Sequence, residues 1–142
     1  MSIMVQPDIN YLALLVSAIA AMAIGALWYS PLLFGKKWME LMGVKPDMNN
    51  PEMKKKAQRG YVIMFLAVLL MAYVLAHFVD YAGTTDWLGG LQLGFWVWLG
   101  FNATVMIGSW LWENKPFSLY LLNTGHYLVA LLVMGVILAV WA

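Results

Sequence analysis

Apolar residues in this chain fall into four long runs that are separated by short polar segments. The runs cover about residues 10–33, 60–81, 87–111 and 117–141. A helix needs about 20 predominantly apolar residues to cross a bilayer, and each run is near or above that length. The runs are apolar on nearly every side, and an open chain in lipid satisfies its backbone only as a helix. The pattern predicts an all-α protein, an integral membrane four-helix bundle.

The composition supports the same class of protein. The 142 residues are 63% hydrophobic and 11% charged, whereas soluble domains are typically about 45–50% apolar and about 25% charged. The length fits a single transmembrane domain over residues 1–142. Cysteine is absent, which excludes disulfides and thiol chemistry.

Positive charge is concentrated in one loop, although the formal net charge is only +1. Seven of the eight Lys and Arg residues lie in the segment 34–59, and Lys115 lies in the turn 113–116. Such an excess marks the cytoplasmic loops of membrane proteins. We therefore expect the segment 34–59 and this turn to be cytoplasmic. The protein would be N-out and C-out, a multi-pass protein of the bacterial inner (plasma) membrane.

The loop and the turns contain helix signals of their own. The stretch "FGKKWMELMG" predicts a short interfacial helix, and Asn50 is suited to cap a helix that begins at Pro51. Gly83 is placed to end the second membrane helix, and Thr85 to cap the third. We expect the loop lysines to attract anionic membrane lipids. The basic stretch is short and lacks stacking aromatics, so no nucleic acid is expected as a partner.

The stretch "WYSPLLFGKKW", residues 28–38, has two interpretations. Trp28 stands where amphipathic aromatics collect at a membrane interface, and the lysines that follow would anchor a membrane exit. Pro31, however, removes one helical hydrogen bond and crowds the Leu27 carbonyl. The freed carbonyl and the Ser30 hydroxyl would then line a polar pocket.

Polar side chains inside the spans are candidates for function. Asn102 lies twelve residues before Asn114 and His126 twelve after it, so an antiparallel hairpin brings both to the same depth. These two residues define a candidate ligand site together with three others at nearby depth. Hydrogen bonding between helices and catalysis are the alternative roles, and His126 has no carboxylate at its depth to orient a general base. The candidate site consists of Trp28, Ser30, Asn102, Asn123 and His126.

Other patterns leave alternatives open. His77 and Asp80, three residues apart on one helix, allow a local hydrogen bond or two metal ligands, and two ligands are too few for a metal site. We therefore expect no metal and no cofactor. Gly90, Gly94 and Gly100 belong to stripes of small residues that let helices approach closely, within the bundle or between subunits.

The chain resembles the bacterial membrane family called domain of unknown function 1761. The resemblance rests on "GALWYSPLLFGKKW", then "MAYVLAH", "LGF" and "NTGHYLVALLVMGVILAVW", and it covers nearly the whole chain. It implies four helices and a pattern that includes the proline break. The family brings no established activity, so the resemblance assigns no catalytic residue.

Two functional hypotheses follow. In the first, the protein binds or moves a small molecule or a lipid at a polar pocket in the inner leaflet. In the second, it is a structural or accessory subunit that packs through Gly- and Trp-rich helix faces, without ligand chemistry. An enzyme on a lipophilic substrate is favoured least, and no residue is predicted to be catalytic. We expect membrane lipids and a second copy of the chain as partners.

Overall fold

The computed structural model describes residues 8–45 and 49–141, which fold into five α-helices. No strand occurs within these residues. Four of the helices are long and apolar enough to cross a membrane, which confirms the predicted all-α fold. The helices are α1 (Tyr11–Trp28), α2 (Gly35–Met42), α3 (Pro51–Tyr81), α4 (Trp87–Leu111) and α5 (Phe117–Val140).

Helix α5 forms the centre of the bundle, because it packs against α1, α3 and α4. Its buried residues Leu131 and Met134 join Leu14 of α1 and Leu75 of α3 in one apolar core. The outward-facing side chains are also largely apolar; Val105 of α4, for example, is 74% exposed. Apolar side chains on both the inside and the outside are typical of helices surrounded by hydrocarbon.

The two ends of the bundle differ in what they carry. At one end, Asn10 Nδ2 donates to the Trp141 carbonyl over 3.2 Å, so the first and last described helices meet there with the turn 82–86. We call this the terminal end. The opposite end carries the segment 34–59, as far as it is described, and the turn 112–116; we call it the loop end.

Helix boundaries confirm two sequence predictions and correct two. The Asn50 side chain accepts from the Glu52 N–H at 2.9 Å, so α3 begins at Pro51 as predicted. Gly83, with φ of 68°, ends the same helix. The predicted Thr85 cap is wrong, because Asp86 stands next to the first helical residue and accepts from the Gly89 N–H at 2.8 Å. The first span does not continue to residue 33, since α1 ends at Trp28.

Glycines on two facing helices bring α4 and α5 into close contact. Added methyl groups at Gly90 and Gly94 would collide with the carbonyls of Gly135 and Leu131, and one at Gly135 would meet the Gly90 carbonyl. This stripe therefore serves packing within the bundle, one of the two roles that the sequence left open. A methyl group at Gly100, in contrast, would meet nothing within 4 Å.

Candidate functional site

Helix α1 is too short to reach the loop end. It has 18 residues and α5 has 24, and the two helices are level at the terminal end, where Asn10 bonds to Trp141. At a rise of about 1.5 Å per residue, α1 therefore stops about 9 Å before the first residue of α5. The "WYSPLLFG" segment turns at that depth, within the span of its neighbour.

Backbone groups of this turn are paired within the turn. The Phe34 N–H donates to the Trp28 carbonyl at 2.9 Å, and the Gly35 N–H donates to the Ser30 carbonyl at 2.9 Å. The Ser30 hydroxyl donates to the Leu27 carbonyl at 2.7 Å, so the two groups expected to line a pocket bond to each other. Gly35 has no room for a side chain, since a methyl group there would lie 2.8 Å from the Ser30 carbonyl oxygen.

Two aromatic side chains hold the end of α1 against α5. Trp28 Nε1 donates to the Leu122 carbonyl at 3.0 Å. The Tyr29 hydroxyl donates to Asn123 Oδ1 at 2.7 Å. Trp28, Ser30 and Asn123 are thus all engaged in hydrogen bonds within the chain.

His126 lies on α5 directly against the end of α1. A methyl group at Gly25 would lie 3.0 Å from its Nε2, so the glycine makes room for the imidazole. The centroid of the imidazole is 5.3 Å from that of Tyr29 and 4.7 Å from that of Tyr127. The side chain is only 8% exposed, and its Nδ1 is buried with no hydrogen-bond partner.

Asn102 is the fifth residue of the predicted site. It lies on α4, and it forms no hydrogen bond with His126, because Asn102 Oδ1 and His126 Nδ1 are both buried without a partner. A contact between the two side chains, direct or through water, stays a prediction. Each residue is nine positions from the loop end of its helix, at Leu111 and Phe117, which is about 13 Å along the axis. The hairpin register fixes this common depth but not the direction in which each side chain points.

A π-helical turn at Leu99–Ala103 surrounds Asn102. Its wide geometry leaves carbonyls for side chains to pair. The Thr104 hydroxyl donates to the Gly100 carbonyl at 2.7 Å, and the Tyr120 hydroxyl of α5 donates to the Ala103 carbonyl at 2.7 Å. Turns of this kind occur frequently at functional sites.

Sequence reasoning missed several residues of these two places. The predicted site did not include Tyr29 or Gly25, although both contact the His126 ring. Gly125 also went unnoticed, although a methyl group there would lie 3.2 Å from the Trp28 ring. Gly25 on α1 and Gly125 on α5 lie at matching depth, and this pattern could have indicated close packing of the two helices there. The stretch "LGFNAT", residues 99–104, contains no pattern that predicts the π-helical turn.

The histidine near the terminal end has a local partner. Nδ1 of His77 pairs with the Tyr73 carbonyl at 2.8 Å, rather than with Asp80. No group of three or more His, Cys, Asp or Glu side chains that could hold a metal occurs in the described part of the chain.

The end of α1 brings an unpaired imidazole nitrogen together with Trp and Tyr rings. A neutral imidazole nitrogen accepts or donates one hydrogen bond, according to the tautomer. The surrounding Trp and Tyr rings provide flat apolar walls, and the Asn102 amide oxygen is a separate acceptor at the same depth.

No curated protein and no solved structure matches the chain. The sequence model of one family, described as "Protein of unknown function (DUF1761)", matches residues 12–139. That match covers most of the chain: it includes α2, α3 and α4 completely, and α1 and α5 except for one residue each. The chain therefore belongs to this family.

Proposed function

We propose that the chain is an integral membrane protein that binds a small molecule or a lipid beside His126, at the end of α1. One observation supports this proposal most strongly. A histidine that is only 8% exposed has an unpaired Nδ1 at the point where the first helix stops within the span of its neighbour. Among the five predicted site residues, Trp28, Ser30 and Asn123 are satisfied internally.

A ligand that forms a hydrogen bond with the unpaired nitrogen would stabilise the protein. A buried polar group without a partner costs about 1–3 kcal/mol, and hydrocarbon offers no water to relieve that cost. A ligand that pairs with Nδ1 offsets it. Nδ1 is shielded in this conformation, so one wall has to move. Tyr29 packs against the imidazole, with ring centroids 5.3 Å apart. We therefore expect the non-helical turn 29–34, which begins with Tyr29, to be the wall that moves.

The charge pattern supplies the orientation of the proposed site. Lys and Arg concentrate at the loop end, and such residues favour the cytoplasmic side of the inner membrane. The site beside His126 would then lie in the cytoplasmic leaflet. Irregular backbone at membrane depth has to pair its polar groups, and this turn pairs them within itself.

Native mass spectrometry of the protein in mild detergent tests the proposal. We expect wild type to retain a small molecule or lipid, and His126→Phe to lose it, because the substitution keeps a ring but removes Nδ1. His77→Phe is the matched control, since His77 lies near the terminal end and bonds to its own helix. Equal retention by all three proteins, or no retained molecule in wild type, would contradict the proposal.

A second candidate is a role as a structural or accessory subunit. Helix α4 favours this role. Only 11% of the residues in its most hydrophobic 18-residue segment are buried within the chain, against 28–39% for the other three spans. A helix with so little buried surface leaves room for a protein partner. The mass of the purified complex distinguishes this role from that of a solitary ligand-binding protein.

A further inference from the structure

Helix α2 is amphipathic, and its polar face carries two lysines. At about 100° per residue, Lys36, Lys37 and Glu40 fall on one arc of the helix, and all three side chains are exposed. Trp38, Leu41 and the neighbouring methionines fall on the opposite arc and are half-buried. A helix of this kind lies in the plane of a membrane interface, with its apolar side inward and its lysines among the lipid headgroups.

Backbone hydrogen bonds join α2 to the turn that leaves α1. The Phe34 carbonyl accepts from the Trp38 N–H at 2.8 Å, while the Phe34 N–H donates to the Trp28 carbonyl at 2.9 Å. Gly35, the first residue of α2, donates from its N–H to the Ser30 carbonyl and is packed too closely to carry a side chain. This turn and α2 therefore move as one unit.

Two series of ring contacts connect α2 to His126. The Trp38 ring lies edge-on to Tyr29, with centroids 6.1 Å apart, and Tyr29 lies edge-on to the imidazole at 5.3 Å. The centroid of Phe34, directly before α2, is 4.7 Å from that of Trp28, whose ring is 6.4 Å from the imidazole. A displacement of α2 therefore acts on both of the α1-end rings beside the histidine.

We propose that the unit made of the turn 29–34 and α2 is a lid over the His126 site, and that anionic membrane lipids hold this lid closed. The inference rests on the ligand site proposed above, and it adds the partner that regulates that site. Nδ1 of His126 is buried and unpaired in this conformation, so this conformation is the closed one.

The direction in which the lid opens makes it sensitive to charge. α5 packs against α2 and blocks movement towards the bundle, and lysines resist movement into hydrocarbon. The lid therefore opens by lifting α2 out of the headgroup layer. Lys36 and Lys37 outnumber Glu40, so this movement separates a net positive charge from the membrane. An anionic surface opposes that separation, whereas a neutral surface does not.

Chemical modification of His126 in vesicles tests the lid. The reagent is diethyl pyrocarbonate, which acylates imidazole nitrogens, and initial rates are followed by mass spectrometry of the full chain. His77, which bonds to its own helix near the terminal end, is the internal reference. Vesicles of phosphatidylglycerol and phosphatidylcholine in equal parts are compared with pure phosphatidylcholine. We expect the anionic lipid to slow modification of His126 relative to His77 about fivefold, the effect of one net charge at an anionic surface.

Two double variants separate the lysines of α2 from those of α3. Lys36→Gln with Lys37→Gln should abolish the slowing, because α2 then carries no positive charge. Lys54→Gln with Lys55→Gln is the matched control: it removes the same charge from an exposed stretch outside the lid, and the slowing should persist. Glu40→Gln should increase the slowing, because it leaves both lysines uncompensated.

Several outcomes overturn the lid. Equal relative rates in the two kinds of vesicle, or equal slowing in both lysine variants, contradict control by α2. No modification of His126 even in pure phosphatidylcholine would show that the turn does not open. Phosphatidylinositol, which is anionic but has another headgroup, should act like phosphatidylglycerol. A slowing by phosphatidylglycerol alone would mean that this lipid itself occupies the site, and it would contradict control by surface charge.

The measurement distinguishes failure of the lid from failure of the proposed function, because the reagent needs no bound molecule. A charge-dependent rate in a protein that retains nothing in native mass spectrometry supports the lid and contradicts the ligand site. A molecule that is retained by wild type and lost in His126→Phe, without any charge dependence of the rate, supports the ligand site and contradicts the lid.

Discussion

At the residue scale, polar side chains in the spans differ in their hydrogen-bond partners, and some bond only to their own helix. Trp28, Trp98 and Tyr120 each donate to a carbonyl of a neighbouring helix, over 2.7–3.0 Å. These contacts are the hydrogen bonds between helices that the sequence offered as one role for its polar residues. Within residues 8–45 and 49–141, three buried side-chain atoms have no partner: Ser17 Oγ, Asn102 Oδ1 and His126 Nδ1. Function is best sought at these atoms, because packing alone does not explain them.

Asn102 and His126 should act independently in stability. Replacing a buried unpaired group by an apolar one removes a desolvation cost, so Asn102→Leu should leave the free energy of unfolding unchanged or raise it by about 1 kcal/mol. His126→Phe should behave similarly. Because the side chains share no hydrogen bond, the double mutant should be additive within about 0.5 kcal/mol.

A double-mutant cycle by denaturant unfolding in mixed micelles measures this additivity. A coupling of 1 kcal/mol or more, on the scale of residues in contact, would show that the two side chains interact, directly or through water. Val105→Leu, at an exposed position, serves as the neutral comparison.

The candidate site was only partly predictable from single residues. Equal spacing from Asn114 gave a common depth for Asn102 and His126, which the helix boundaries retain. Spacing along a hairpin does not fix the rotation of either helix, and the π-helical turn shifts the face of α4 that follows it. The sequence therefore fixes the common depth of Asn102 and His126, and their facing one another stays a prediction.

At the scale of elements, hydropathy located every long helix but misjudged one end. Leu32 and Leu33 extend the first apolar run past the end of α1, since hydropathy does not distinguish an apolar turn from a helix. Pro31 and Gly35 were the correct signals for the turn. The start of α3 was predicted well, because Asn50 and Pro51 act locally and need no tertiary context.

The contact between α4 and α5 should depend on its glycines. In Gly94→Ala the new methyl group would collide with the Leu131 carbonyl, so the helices must separate. We expect the free energy of unfolding to fall by about 1–3 kcal/mol, as for overpacked cores. Gly60→Ala on α3 is the control, because a methyl group there meets nothing within 4 Å. Alanine should stabilise that helix by up to about 1 kcal/mol.

Thermal unfolding of the two variants beside wild type distinguishes these effects. Equal stability of Gly94→Ala and Gly60→Ala would show that α4 does not approach α5 closely in the membrane. The glycine stripe would then be free to serve a contact between subunits.

At the scale of the whole molecule, orientation rests on the placement of charge. The loop end carries all eight Lys and Arg residues, so we expect it to face the cytoplasm. Single cysteines at Lys45 and Thr85, both exposed, should then react differently with an impermeant thiol reagent in intact cells. Thr85→Cys should label and Lys45→Cys should not. The reverse pattern would invert the orientation, and the natural chain adds no background because it lacks cysteine.

We expect two copies of the chain to associate through α4. It is the least buried of the four spans and also the least hydrophobic, with a mean hydropathy of 1.3 against 1.9–2.6. A less apolar helix gains least from facing lipid, and Gly100 offers an open surface on it. A two-fold contact would cover this face on both copies.

We expect native mass spectrometry in mild detergents to show twice the 16.0 kDa of one chain. Gly100→Trp should restore the single mass by filling the contact, whereas Gly60→Trp, at an equally open position, should not. A single-chain mass for wild type in every mild detergent would exclude this interface and leave α4 to lipid.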